Sequence, residues 1–260
     1  LRTLLRVGFD WLDLGSFVSP RAVPAMADTP KVLHQLEEEA IWDQTATRAL
    51  VIVANERGIR NAVEFESVSA LGFPFSISPT FQERNTRADQ EEAMRRLDVA
   101  ANTCAQHGKD LVVYLSMGFG NPYGDDWAVK DTVAWGDRLL KAFDPSVISV
   151  ADTVGMATPA LVKDVFEPCV SSWGHARVGA HLHMNPLDGM QKVEVAHEAG
   201  CLRFDGAIRG IGGCPMAQDD LVGNAPTERL VEWAEQRGLW KLGSSRALDQ
   251  AQSLAVDLFG

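Results

Sequence analysis

The segment Gly179-Ala180-His181-Leu182-His183 sets two imidazoles two residues apart in a run with the composition of a strand. Residues i and i+2 of a strand share a face, so both rings project together while Leu182 turns to the opposite layer. A paired imidazole face suits a divalent metal, with a carboxylate, an amide oxygen and substrate oxygens completing the coordination of Mg2+, Mn2+ or Zn2+. The same pair also fits a strand end whose polar side chains simply hydrogen-bond to neighbours. Further along, Phe204-Asp205-Gly206-Ala207 runs into Arg209-Gly210-Ile211-Gly212-Gly213-Cys214-Pro215. Glycines permit positive φ and close backbone approach, so this loop is expected to fold over a ligand and present Cys214 as a nucleophile or a general acid. Cys104, Cys169 and Cys201 lie in helix and strand contexts and read as small buried hydrophobes. Asn224 stands just before a helix, where asparagine is a common cap. Asp152 and Asp13 each put a carboxylate towards the end of a strand-like run. Two histidines, a carboxamide, two carboxylates and a thiol around one rim are more than packing explains.

Such groups converge only if the chain brings strand ends together. Seven apolar, β-rich runs occupy residues 9–14, 49–54, 70–76, 111–117, 147–152, 178–183 and 201–207. Helical spacing fills residues 22–39, 58–68, 87–107, 127–143, 159–171, 187–199 and 227–237. Thr158-Pro159 supplies a cap with proline at the first helical position, and Gly200 closes the helix before Cys201. Alternating strand and helix predicts an α/β protein with a parallel sheet, either a closed (β/α)8 barrel or an open doubly wound sheet. The glycine cluster at 206–213 follows the last strand and does not fit G-x-G-x-x-G before a helix, which favours the (β/α)8 TIM barrel. The active site then belongs at the C-terminal strand ends. Residues 1–7 read as the end of a helix, so the barrel's first strand is missing from the sequence. One catalytic domain is expected over residues 1–260, with a C-terminal helical segment at about 240–260.

The composition narrows the partners. At 260 residues and 46% hydrophobic the chain can build one sizeable core, and 24 Lys and Arg against 35 Asp and Glu give a net charge of -11. That charge opposes nucleic acid and anionic membranes over most of the surface. No apolar run approaches the roughly 18 to 20 residues of a membrane span, and the basic, apolar, small-residue order of a signal peptide is absent. Four scattered cysteines without C-x-x-C read as reduced thiols, and a cytoplasmic location is expected. Any polyanionic ligand needs a local basic cluster, for which Arg57, Arg60, Arg84, Arg87 and Arg209 are available.

In these residues the chain resembles 3-hydroxy-3-methylglutaryl-CoA lyase, one of the metal-dependent lyase and synthase barrels. The resemblance rests on Ser16-Phe17-Val18-Ser19-Pro20, Val23-Pro24, Met26-Ala27-Asp28, Asn55, the stretch 116–124, Asp152-Thr153-Val154-Gly155, His181-Leu182-His183 and, most discriminating, Gly210-Ile211-Gly212-Gly213-Cys214-Pro215. It implies a divalent cation, Mg2+ or Mn2+ ahead of Zn2+, held by His181, His183 and Asn224, with Cys214 as the catalytic thiol. The implied substrate is an acyl-CoA, cleaved by retro-Claisen chemistry to acetyl-CoA and a keto acid such as acetoacetate. Asp152 or His181 would take the hydroxyl proton, with Asp13 as a further catalytic carboxylate, and a homodimer is the assembly considered. The family's Arg-Asp pair on the first strand is not in the sequence, so a segment carrying it is expected upstream of Leu1. Asp13 replaces a glutamate and Val112 an arginine of the better-known lyases, and residues 72–76 also differ, which leaves the acyl group open. The rival expectations are a metal-dependent aldolase or Claisen-type synthase, and a barrel that binds metal or acyl-CoA without turning it over.

Overall fold

The aliphatic runs become parallel strands, each continuing into a helix. The computed structural model describes residues 1–184, 189–213 and 222–259. Backbone contacts divide the chain into two compact units, Leu1–Phe73 with Arg96–Leu111 and Val231–Gly260, and Pro74–Arg95 with Val112–Leu230.

In the first unit, β1 (Trp11–Ser16), β2 (Arg48–Ile52) and the start of β3 (Val68–Ser76) pair in parallel, with Leu12 opposite Ala49 and Leu50 opposite Ala70. A short helix α1 (Arg2–Leu5) precedes them; α2 (Thr29–Glu38) and α3 (Glu56–Ala62) connect them. The Asn55 side chain accepts from the Gly58 amide at 2.9 Å and caps α3. Glycine is required at position 58, because a Cβ there would lie 2.5 Å from the Phe17 carbonyl oxygen. Polar clips seal the strand starts. Arg48 stacks 4.0 Å over Trp11 and pairs with Asp110, and Lys109 donates to the carbonyls of Phe65 and Val68.

In the second unit β4 (Asp110–Ser116) from Val112 onward, β5 (Val147–Asp152), β6 (Val178–Leu182) and β7 (Arg203–Asp205) follow one another in parallel. Every residue of β5 is buried, as a strand covered on both faces requires. The connecting helices are α4 (Pro79–Thr86), the long α5 (Gln90–His107) shared between the units, α6 (Val129–Phe143), α7 (Pro159–Trp173) and α8 (Met190–Glu198). Register places Ser149 beside Gly179, Ala151 beside His181, and His181 beside Asp205. The strand ends that carry the polar residues thus lie side by side. The helices α9 (Thr227–Gln236) and α10 (Ser245–Phe259) end the chain, α10 packing on α1. Among the described residues no helix is long and apolar enough to cross a membrane.

The elements differ from expectation where local chemistry outweighs periodicity. The helix expected at 22–39 is a single 3-10 turn, Pro24–Met26, followed by α2, because Pro24 and Pro30 each pre-set the φ of a first turn. Residues 63–68 leave the helix expected at 58–68, and Val68 already belongs to β3. The helix expected from 87 begins at Gln90. Ahead of it lies α4, capped by Ser78, whose hydroxyl accepts from the Phe81 amide at 3.0 Å, and ended by Arg87 in the left-handed region at φ +51°. The expected strand 201–207 contracts to three residues, since Ala207 already pairs with Pro226 and Thr227. Thr158 caps α7 as anticipated, accepting from Leu161 at 3.2 Å, and Gly200 follows α8 at φ +97°.

Candidate metal centre

The end of β6 is held by a second strand-like segment. Beyond Leu182, His183 forms an isolated antiparallel bridge with Asn224, the Ala225 amide donates to the Leu182 carbonyl at 3.1 Å, and the Met184 amide donates to Gly223 at 2.9 Å. The described part of the glycine loop closes on the same segment. The Asn224 amide donates to the Gly210 carbonyl at 3.0 Å, and a Cβ at Gly210 would fall 2.7 Å from the Asn224 carbonyl oxygen. Gly210 and Gly212 also sit at positive φ, so this part of the loop needs glycine for both reasons. It lies backbone to backbone against Asn224.

Two of the three expected ligands, His183 and Asn224, are tethered through a nitrogen that a metal does not use. His183, 4% exposed, donates from Nδ1 to the Val222 carbonyl at 3.0 Å, which leaves Nε2 with its lone pair. Burial, followed by the neighbouring His181, pushes the His183 imidazole down to about 4, so it is neutral at pH 7, as ligation demands. Asn224 donates from Nδ2 to the Ile211 carbonyl at 3.2 Å, across the loop rather than into α9, so it does not act as the helix cap its position suggested. Its Oδ1 remains as the side chain's acceptor. The ring centroids of His181 and His183 are 5.3 Å apart. His181 Nδ1 is buried without a hydrogen bond and faces the Asp205 carboxylate at 3.4 Å. Tyr114 of β4 meets the His181 ring edge-on at 5.5 Å.

Sequence reasoning passed over Asp205 and Lys192. Burial raises the Asp205 carboxyl, but His181, Arg203 and the Ser149 hydroxyl, which donates to Oδ2 at 2.9 Å, together hold it below the usual carboxylate range. Its strand-end position one register from His181 was the available signal. Lys192 carried a fainter one, a lysine among the buried positions Val193 and Ala196 of α8. Its ammonium pairs with Asp152 at 2.8 Å, the two side chains being 10% and 1% exposed. Asp152 Oδ1 and Oδ2 also accept from the Ala157 amide at 3.2 and 3.3 Å, and burial pushes its carboxyl up against the pull of Lys192. The structure therefore places the expected rim carboxylate in the interior with its oxygens engaged.

His181, His183, Asn224 and Asp205 come together in the second unit. Asp13 belongs to the first, exposed on β1, with Oδ1 accepting from the Gly15 amide at 3.0 Å. Cys214 lies outside the described residues. Among the described residues no three or more His, Cys, Asp or Glu side chains form a metal-holding group. The donor set present is two imidazole nitrogens and one amide oxygen. That set fits a divalent cation with open positions, as a catalytic site requires.

A parallel βα architecture that brings two histidines and an asparagine together just beyond the end of β6 belongs to the barrel class of α/β proteins. The family model HMGL-like matches residues 1–255, and the chain belongs to that family. It is 30% identical over 236 residues to hydroxymethylglutaryl-CoA lyase YngG of Bacillus subtilis, covering 91% of this chain and 76% of the relative. It is 26% identical to the 3-hydroxy-3-isohexenylglutaryl-CoA/hydroxy-methylglutaryl-CoA lyase of Pseudomonas aeruginosa, covering 88% and 73%. Among solved structures, the HMG-CoA lyase of Bacillus subtilis superposes with a TM-score of 0.88 at 27% identity over 99% of this chain and 84% of that one. The Acinetobacter baumannii HMG-CoA lyase, solved with coenzyme A and 3-methylmalate, gives 0.85 at 27% identity over 98% and 81%. The fold is thus that of the (β/α)8 barrel lyases, with seven strands among the described residues, and the chain is an enzyme of the lyase type.

Proposed function

We propose that this protein is a divalent-metal-dependent carbon-carbon lyase that cleaves a 3-hydroxy-3-methylglutaryl-CoA-like thioester to acetyl-CoA and a keto acid such as acetoacetate. The observation that carries the reading is the tethering of His183 and Asn224 by their non-ligating nitrogens, which leaves Nε2 and Oδ1 for one cation together with His181. The amide oxygen suits Mn2+ or Mg2+ and the imidazole pair suits Zn2+ as well, with no thiolate among the described donors. When bound, the cation lowers the pKa of a chelated hydroxyl and polarises the adjoining oxygen.

This chain's residues supply the rest. His181, backed by Asp205, and His183, backed by Val222, orient the hydroxyl end of the substrate. The hydroxyl proton passes to solvent water as the C–O bond becomes a carbonyl, the C2–C3 bond breaks, and its electron pair passes into the thioester enolate. The Cys214 thiol then gives its proton to C2 and leaves acetyl-CoA. Asp152, held between Lys192 and the Ala157 amide, belongs to the scaffold beneath this chemistry rather than to proton removal. The three described cysteines are free and buried, which supports a reducing, cytoplasmic setting.

The test is product analysis. Purified protein with Mn2+ or Mg2+ and hydroxymethylglutaryl-CoA is expected to yield acetyl-CoA and acetoacetate in equal amounts, with EDTA abolishing both and His183→Ala reducing metal uptake. Turnover of a free hydroxy-keto acid in place of the thioester would instead establish an aldolase. Metal and thioester binding without product would establish a binding barrel.

A further inference from the structure

Lys192 packs against the His183 end of the proposed metal centre, and each of its three ammonium protons has an acceptor. Nζ donates to Asp152 Oδ2 at 2.8 Å, to the His183 carbonyl at 3.2 Å and to the Gly155 carbonyl at 3.3 Å. These acceptors come from the end of β5, the turn that follows it and the end of β6. The turn coils around the same carboxylate: the Gly155 amide donates to the Asp152 carbonyl at 3.1 Å and the Ala157 amide to its side chain. Gly155 stands at φ +70°, and a Cβ there would lie 2.7 Å from Val222 and 3.3 Å from the His183 carbonyl oxygen. Residue 155 is therefore wedged between the two segments that fix His183.

We infer that Lys192 is a positioning residue for metal binding: by holding the His183 carbonyl on the Asp152 carboxylate, it fixes the ligand pair His183 and Asn224. Beyond Leu182 the regular parallel ladder of β6 has ended, and the His183 carbonyl takes the ammonium where a strand would offer an amide. The ring is tied from the opposite side by Val222. Rotation about the His183 backbone is thus blocked at both the main chain and the side chain, and the antiparallel bridge passes that constraint to Asn224. Stability alone gives a weak reason for a buried ammonium and carboxylate, since apolar replacement of such pairs is often neutral or stabilising. Their placement against a ligand's carbonyl gives a specific one.

The inference rests on the metal reading above, and the experiment separates the two. Apo protein is titrated with Mn2+, read by electron paramagnetic resonance, alongside thermal unfolding. Lys192→Met strands a buried carboxylate and is expected to lower both Tm and Mn2+ affinity. The double variant Lys192→Met/Asp152→Asn leaves no unpaired buried charge and keeps an acceptor for the Ala157 amide. It is expected to regain most of the Tm while still binding Mn2+ about 10- to 100-fold more weakly than wild type, the usual effect of losing an outer-shell partner. Lys192→Gln, which retains a donor for the carbonyl, is expected to bind more tightly than Lys192→Met. A double variant that recovers wild-type affinity, or that fails to fold, assigns the pair to folding and overturns the inference. Wild-type protein that takes up no Mn2+ removes the metal reading itself.

Discussion

Replacing Asp205 by asparagine tests whether an outer carboxylate orients His181. The change keeps the side chain's shape and leaves an oxygen for the Ser149 hydroxyl, now 2.9 Å from Oδ2, while removing the charge that faces His181 Nδ1. Outer partners of this kind contribute about 10- to 100-fold in metal affinity, or about 1.4 to 2.8 kcal/mol. The His181 contact is 3.4 Å long, beyond the roughly 2.7–3.2 Å of a made N–H to oxygen hydrogen bond, so the lower end applies. Mn2+ affinity is expected to fall about tenfold. Calorimetric titration of apo wild type and Asp205→Asn measures it, with circular dichroism showing that both are folded. Folded Asp205→Asn that binds Mn2+ as tightly as wild type would refute the orienting role. A loss of a thousandfold would place Asp205 itself among the ligands.

Three further outcomes are expected. Cys214→Ser should lower turnover by roughly 10²- to 10⁴-fold, the worth of a positioned acid, with metal content by elemental analysis unchanged. Gly136→Ala should destabilise by about 2 to 3 kcal/mol in denaturant unfolding, because its Cβ would sit 1.9 Å from the ring of Trp173, itself 7% exposed and tied to Asp137 at 2.9 Å; an unchanged midpoint would mean that α6 and α7 separate freely. For Asp125, burial would raise the carboxyl, but Ser78, Thr80 and Arg84 together hold it below the usual carboxylate range. A depressed folded-state pKa adds stability above the unfolded value that is lost as pH falls through the folded one. Asp125→Ala should therefore cost most at pH 7 and progressively less below about pH 4, as read by urea midpoints across that range.

Much of the barrel was readable because burial on both faces writes strands as unbroken aliphatic runs. Residues 147–152 were marked to the residue, and 178–183 missed only the bridge at His183. Helix boundaries were less legible where proline and a left-handed residue intervene. Ser78-Pro79 is a strong start signal, yet the break at Arg87 depends on a backbone conformation that no residue type announces. In the candidate site the histidine pair was legible from a spacing of two, and the glycines from their need for close approach. The environment of Asp152 was not, because the lysine that claims it lies 40 residues further along on a helix whose apolar stripe hid it. Asn224 was read partly as a cap for the same reason: its partner, the Ile211 carbonyl, is brought up by the fold.

The inertness of three sulfur atoms has a practical corollary. Burial pushes Cys104, Cys169 and Cys201 each up to about 12, so at neutral pH only about one in 10⁵ of each is thiolate. Alkylating reagents applied to the native protein will pass these three by. A thiol-directed fluorophore or mass label that attaches before denaturation is therefore expected at position 214, the remaining cysteine of the sequence, without engineering a single substitution.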